Sequence, residues 1–255
     1  MKKKAKNIPF IHNYCDRWCE RCYFTNRCAV AESTGKLSPE QLDINNKAFW
    51  DNLSNNFAKA ITMLHKAAEK HGFTIPETTE DEHESFLLQE ELKAKRMEAS
   101  PLIMQCKAYM HLADKWLDSH EQLMEKQEEL IQHFDMGLRN EEESYSQLAT
   151  IADCLEVIQW YLHFIHVKFM RALSGKADGE ELDVENCFQK DSDGSAKIAL
   201  IAAERSIQAW LQLNELLPNM EDDVLPILAS LQYIQRLGNA EFPDSIKFIR
   251  PGFDE

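Results

Sequence analysis

The sequence predicts an all-α protein: an up-and-down bundle of five or six helices preceded by a short four-cysteine metal-binding loop. Three observations point there. No stretch alternates apolar and polar residues long enough to read as a strand. Several long segments instead repeat apolar residues at steps of three and four. Capping residues and glycines separate these segments, and connections this short make consecutive helices antiparallel neighbours. With 255 residues, 44% of them hydrophobic, the chain can bury a real core. The expected organisation is a cysteine segment over 1–37, a helical domain over 38–238 and an extended arm over 239–255.

The first helix signal after the cysteines is Ser38-Pro39-Glu40-Gln41, with a serine cap, proline at the first helical position and glutamine three residues after the cap. Trp50, Leu53, Phe57, Ala60, Ile61, Leu64 and Ala68 continue at helical spacing until Gly72. Asparagines at 45 and 46 mark a break near the start. An acidic, turn-rich linker follows over 76–84, where Thr79 and Glu82 form a second capping box ahead of Phe86, Leu87 and Leu92. Ser100-Pro101 opens the next helix, whose stripe runs from Cys106 to Phe134 and stops at Gly137, about 50 Å at 1.5 Å per residue.

Asn140 and Glu143 cap the most regular segment. Leu148, Ile151, Leu155, Ile158, Leu162, Ile165, Phe169 and Ala172 form one continuous seam, and Gly175 closes it. Residues 176–194 are polar, with Asp178-Gly179 and Asp193-Gly194 expected as turns in a surface loop. A helix then opens at Ser195 and runs to Pro218, and a last one spans about Asp223 to Leu237, before Gly238. Phe242, Pro243, Ile246, Phe248 and Phe253 have no helical period, so the tail is expected to dock as an extended arm.

A net charge of −15 argues against a nucleic-acid binder, which needs a basic face. Four lysines at positions 2, 3, 4 and 6 read as a solvated tip, and no apolar stretch follows them to make a signal peptide or a membrane span. The expected setting is the cytoplasm, with no membrane partner. A protein partner, if any, would meet the acidic surface or the C-terminal arm.

Cys15, Cys19, Cys22 and Cys28 fall within fourteen residues, in a segment too polar to bury four thiols for hydrophobic reasons. In a reducing compartment such clustering points to a metal. The spacing C-x3-C-x2-C-x5-C places all four ligands in one loop, which suits an iron–sulfur cluster with one thiolate per iron, a 4Fe–4S cluster in first place. Tetrahedral Zn2+ is the alternative, although structural zinc more often takes two separated C-x2-C knuckles. Arg17, Arg21 and Arg27 offset the thiolate charge, and Trp18, Tyr23 and Phe24 can shield the site. The other cysteines, Cys106, Cys154 and Cys187, are scattered.

Over eight residues, Cys15, Cys19 and Cys22 resemble the C-x3-C-x2-C motif of the radical S-adenosylmethionine enzymes. That resemblance implies a cluster; a βα barrel, which the family also has, finds no strands here. Cys19 to Cys28 likewise resemble part of the auxiliary-cluster motif of some of those enzymes, without its trailing cysteine.

A second candidate is a buried polar cluster on the helices. Asp153, Glu156 and His163 share a face with Trp160 and Val167 opposite the seam, and Glu204 interrupts the stripe of Leu200, Ile207 and Leu211. A salt-bridge network with Lys168, Arg171, Lys197 or Arg205 is the expected arrangement, since buried charges are ordinarily paired. A di-iron oxidoreductase centre is a third reading, but its paired Glu-x-x-His is absent; Glu80 to His83 is the one instance, in the linker. Asp193-Gly194-Ser195 with Lys197 could take an anion, although a serine cap explains the same residues.

Overall fold

The computed structural model describes residues 6–74, 79–119, 123, 128–129, 131–133, 136–137, 141–179, 189–217 and 221–254. Among them the protein is all-helical, with no strand. We label the α-helices α1 (Ala29–Thr34), α2 (Pro39–Leu42), α3 (Lys47–His71), α4 (Glu80–Glu98), α5 (Pro101–Ser119), α6 (Glu141–Ala177), α7 (Asp191–Leu216) and α8 (Glu221–Glu241). Short 3-10 turns occupy Ile11–Asn13, Cys19–Arg21, Thr25–Arg27 and Ser245–Lys247.

The chain divides into two compact units, one of Met1–His12 with Arg17–Glu91, the other of Asn13–Asp16 with Leu92–Glu255. Four residues of the cysteine segment belong with the larger unit, and the C-terminal tail lies in that unit as well.

In the smaller unit, local chemistry sets the helices. Ser38 and Gln41 form a reciprocal capping box around α2. The chain then breaks, Asn46 caps α3 by accepting from the Ala48 amide at 3.0 Å, and Trp50 Nε1 donates to the Ile44 carbonyl at 2.9 Å. Gly72 ends α3 in the left-handed region at φ 72°, where a side chain would be strained. Thr79 and Glu82 exchange the expected hydrogen bonds at the start of α4.

In the larger unit α6 packs most extensively on α7, α8 packs on α7, and α5 lies against both α8 and α6. The seam of α6 faces this core: Ile151, Ile158, Leu162, Ile165, Phe169 and Ala172 are buried, and Leu148 and Leu155 partly so. Trp116 of α5 meets Trp210 of α7 edge-on, ring centroids 5.0 Å apart. α6 runs past Gly175 to Ala177. Most of the stretch after Ser119 that was expected to extend α5, the Asn140 cap and Cys187 lie outside the described residues.

Two glycines, Gly194 read as a turn and Gly238 as a helix stop, are helical instead. Gly194 lies inside α7, which starts at Asp191 rather than Ser195, and a Cβ there would sit 2.5 Å from Tyr14 Cε1 and 2.6 Å from Phe248 Cζ. Gly238 lies inside α8, where a Cβ would sit 2.7 Å from Phe169 Cζ. Both are places of close approach, not chain reversal. The tail beyond α8 is tied down by buried Phe242 and Phe248, by Lys197 donating to the Phe248 carbonyl, and by Asp254 paired with Lys197 and Arg250 at 2.8 Å each.

Candidate functional site

The smaller unit holds Cys19, Cys22 and Cys28 on two successive 3-10 turns. Cys19 opens the first, and Cys22 caps it by donating its amide to the Cys19 carbonyl at 3.2 Å. Cys28 ends the second and leads into α1. The Phe24 amide donates to Cys22 Sγ at 3.4 Å. Arg17, two residues before this pair of turns begins, adopts a left-handed φ of 62°, uncommon for a side-chain-bearing residue and typical of tight functional loops. The Arg21 guanidinium lies 4.0 Å over the Trp18 ring, a cation–π contact within the cysteine segment. Ile8 donates to the Arg27 carbonyl at 2.9 Å and Asn7 to Glu32 at 3.3 Å, fastening the chain start to this loop.

Cys15 belongs to the larger unit, and its neighbours fix its backbone there. Asp16 accepts from Tyr161 Oη at 2.8 Å and from Arg205 Nη1 at 2.6 Å, while its carbonyl accepts from Trp160 Nε1 at 3.1 Å. Arg205 also donates to Tyr161 Oη at 2.6 Å, closing a triangle. Burial, with the Asp16 charge nearby, pushes the Tyr161 phenol up to about 12 although Arg205 opposes it, so the phenol stays a donor. Burial alone would lower the Arg205 pKa; the hydrogen bond to Tyr161 and the Asp16 charge outweigh it. On the other side of Cys15, Tyr14 donates to Asp191 at 2.9 Å and packs on Phe248, centroids 4.6 Å apart, while Lys168 donates to the Asn13 carbonyl at 3.3 Å. Arg171 grips the same Asp191 with two nitrogens, at 2.7 to 3.2 Å.

All four loop cysteines are thiols, Cys19 exposed and the others half-buried. As a donor set, four thiols in one loop have the right chemistry for a soft metal or a cluster. Among the described residues of either unit, however, no three His, Cys, Asp or Glu side chains converge as ligands. By contrast Cys106 and Cys154 are buried between helices as small hydrophobes, and burial pushes the Cys106 thiol up to about 12.

The polar cluster expected on α6 and α7 is corrected by the structure. Asp153, Glu156, His163, Glu204 and Arg171 are exposed, and of the six only Lys168 is buried. The seam meets the core together with Cys154, Tyr161 and Lys168, and Asp153, Glu156, His163 and Val167 of the mixed face meet water. Trp160 on that face is over one-third exposed, its polar tip taken up by Asp16, and Val167 is exposed outright. Glu204 accepts from Gln235 at 2.8 Å and Gln208 at 3.0 Å, and these bonds lower its pKa. It is a solvated carboxylate, not a buried one.

Three of the four expected cations form ion pairs, with partners that sequence reasoning missed, Arg171 with Asp191, Lys197 with Asp254 and Arg205 with Asp16, while Lys168 donates to the Asn13 carbonyl. The anion reading at Asp193-Gly194-Ser195 loses its helix start, since these residues lie within α7. No protein-family model matches the chain, and neither a curated protein nor a solved structure matches it. No helix among the described residues is long and apolar enough to cross a membrane.

Proposed function

We propose that Cys15, Cys19, Cys22 and Cys28 bind one metal centre, an iron–sulfur cluster ahead of zinc, and that the protein serves electron transfer or redox sensing in the cytoplasm. The observation that carries this reading is the Phe24 amide aimed at Cys22 Sγ, two residues on from a Cys-x-x-Cys turn. Amide donors to sulfur stabilise a ligating thiolate and tune the potential of an iron–sulfur centre. The Arg21 and Arg17 charges support it by offsetting the negative ligand set. Binding would then draw the thiols together, coupling metal to the local fold as metal sites commonly do. A bound cluster would supply a one-electron couple; the chain's own part is to present the sulfurs and their amide donors. Helices α5 to α8 we read as an up-and-down bundle.

Anaerobic purification with visible absorption and iron, sulfide and zinc analysis tests this. A coloured protein with iron and sulfide in equal amounts is expected, and loss of that colour in Cys28→Ser. A colourless protein with one zinc per chain removes the redox reading and leaves a metal-stapled interaction module. A metal-free protein overturns both.

A further inference from the structure

The smaller unit carries a feature the cysteines do not explain. α3 is 25 residues long, about 37 Å, and buries only Ala68 among its residues. Trp50, Leu53, Phe57, Ile61 and Leu64 recur along it at three- and four-residue steps, each between 37% and 63% exposed. At 100° per residue these five, with Ala60 and Ala67, occupy one face. No Asp, Glu, Lys or Arg falls on that face. Lys59 and Lys66 lie on the opposite side of the helix.

We propose that this face of α3 is a self-association surface, and that its occupant is the α3 of a second copy of the chain. Half-exposed side chains of this size present roughly 100 Å² each, so the five offer about 500 Å², toward the upper end of what isolated monomers expose in one patch. That area also approaches the roughly 800 Å² each partner contributes to a standard interface. The distribution of charge selects a like partner. In a chain of net charge −15, a face without Asp, Glu, Lys or Arg lets two copies meet with no repulsion between facing groups. Lys59 and Lys66 point away from such a contact. Ala60 and Ala67 on the face let two helices approach closely, and a two-fold axis across α3 makes the contact self-complementary.

The test is sedimentation velocity of the full chain from 1 to 100 μM. The wild type is expected to sediment at twice its 29.6 kDa chain mass over the upper part of that range. The double variant Phe57→Glu/Ile61→Glu is expected to be monomeric throughout with unchanged helical circular dichroism, because both side chains are exposed in the single chain. Lys59→Glu/Lys66→Glu, on the far side, is expected to leave the dimer intact. A wild type that stays monomeric at 100 μM overturns the proposal, whether α4 of the same chain or an unrelated protein covers the face. A dimer that survives Phe57→Glu/Ile61→Glu overturns it equally, since the contact would lie elsewhere. Loss of metal from the cysteine loop affects neither reading of the result.

Discussion

α3 and α7 are nearly equal in length, 25 and 26 residues, yet α7 buries thirteen of its residues and α3 one. Both sequences show helical apolar periodicity, and α3 shows the cleaner stripe. The difference lies in the size of the residues. α7 presents Ala196, Ala199, Ala202, Ala203 and Ser206 around Ile198, Ile207 and Trp210, small groups that let α6 and α8 come close. α3 presents large side chains in a row, which no helix of its own unit covers among the described residues. Periodicity alone thus reports that a face is apolar, and the small residues report that something is packed on it.

The comparison breaks most sharply at one aromatic on each helix. Trp210 is fully buried, so Trp210→Ala is expected to destabilise the larger unit by about 3–5 kcal/mol, read by urea unfolding. Phe57→Ala, measured at a concentration where the chain is monomeric, is expected to change stability by no more than about 0.5 kcal/mol. Equal losses at the two positions would mean α3 is covered within the single chain.

The smallest residues separate the helices next. Gly194→Ala places a methyl group against the Tyr14 and Phe248 rings, both held by other contacts, and an overpacking loss of about 1–3 kcal/mol is expected. Ala60→Leu on α3 enlarges an exposed position and is expected to be neutral in the monomer. Thermal unfolding of the two variants side by side decides it. A Gly194→Ala protein as stable as wild type would show that the Tyr14 segment yields.

These glycines also mark how far the sequence could be read. Gly72 was legible as a helix stop because its role is local, as were the boxes of Ser38 with Gln41 and Thr79 with Glu82. Each is set by residues within a turn. Gly194 and Gly238 looked like the same signal, but what requires them is Tyr14, Phe248 and Phe169, distant in sequence. The same holds at the candidate site. The cysteine spacing is visible in fourteen residues, whereas the Asp16–Tyr161–Arg205 triangle joins positions up to 189 residues apart. The polar face of α6 misled for a related reason: Trp160 and Val167 implied burial, and only the fold reveals that one rests its indole on the Asp16 carbonyl and the other faces water.

Acid provides a third contrast, between the tail that docks on α7 and the outer face of α6. Burial would raise the Asp254 pKa, but hydrogen bonds from Arg250 and Lys197 hold it well below the usual carboxylate range. A carboxyl depressed in the folded state stabilises it above its unfolded pKa near 3.9, and that contribution disappears as pH falls toward the folded value. Asp254→Asn is therefore expected to cost about 1–3 kcal/mol at pH 7, and progressively less than that below pH 4. Denaturant unfolding at pH 7, 4 and 3 reads the convergence. A difference between variant and wild type that is constant with pH would place the loss in packing and not in the ion pairs.

The outer face carries the smallest expected effect and the clearest decision about it. Glu156 and Glu204 are exposed, and Glu204 is hydrogen-bonded only through two flexible glutamines of α7 and α8 among the contacts described. Glu156→Gln and Glu204→Gln are expected to shift stability by no more than about 0.5 kcal/mol and to leave bound metal unchanged. A buried ion-pair network would answer differently, because removing one charge from it strands its partner in a low dielectric at a cost of several kcal/mol. A large loss would thus mean that α6, for Glu156→Gln, or α7, for Glu204→Gln, meets a further surface when the protein is assembled. The same pair of measurements, made above and below the concentration at which α3 associates, locates that surface: a loss confined to the dimer ties it to the association of two copies, and one present in the monomer puts it within the chain.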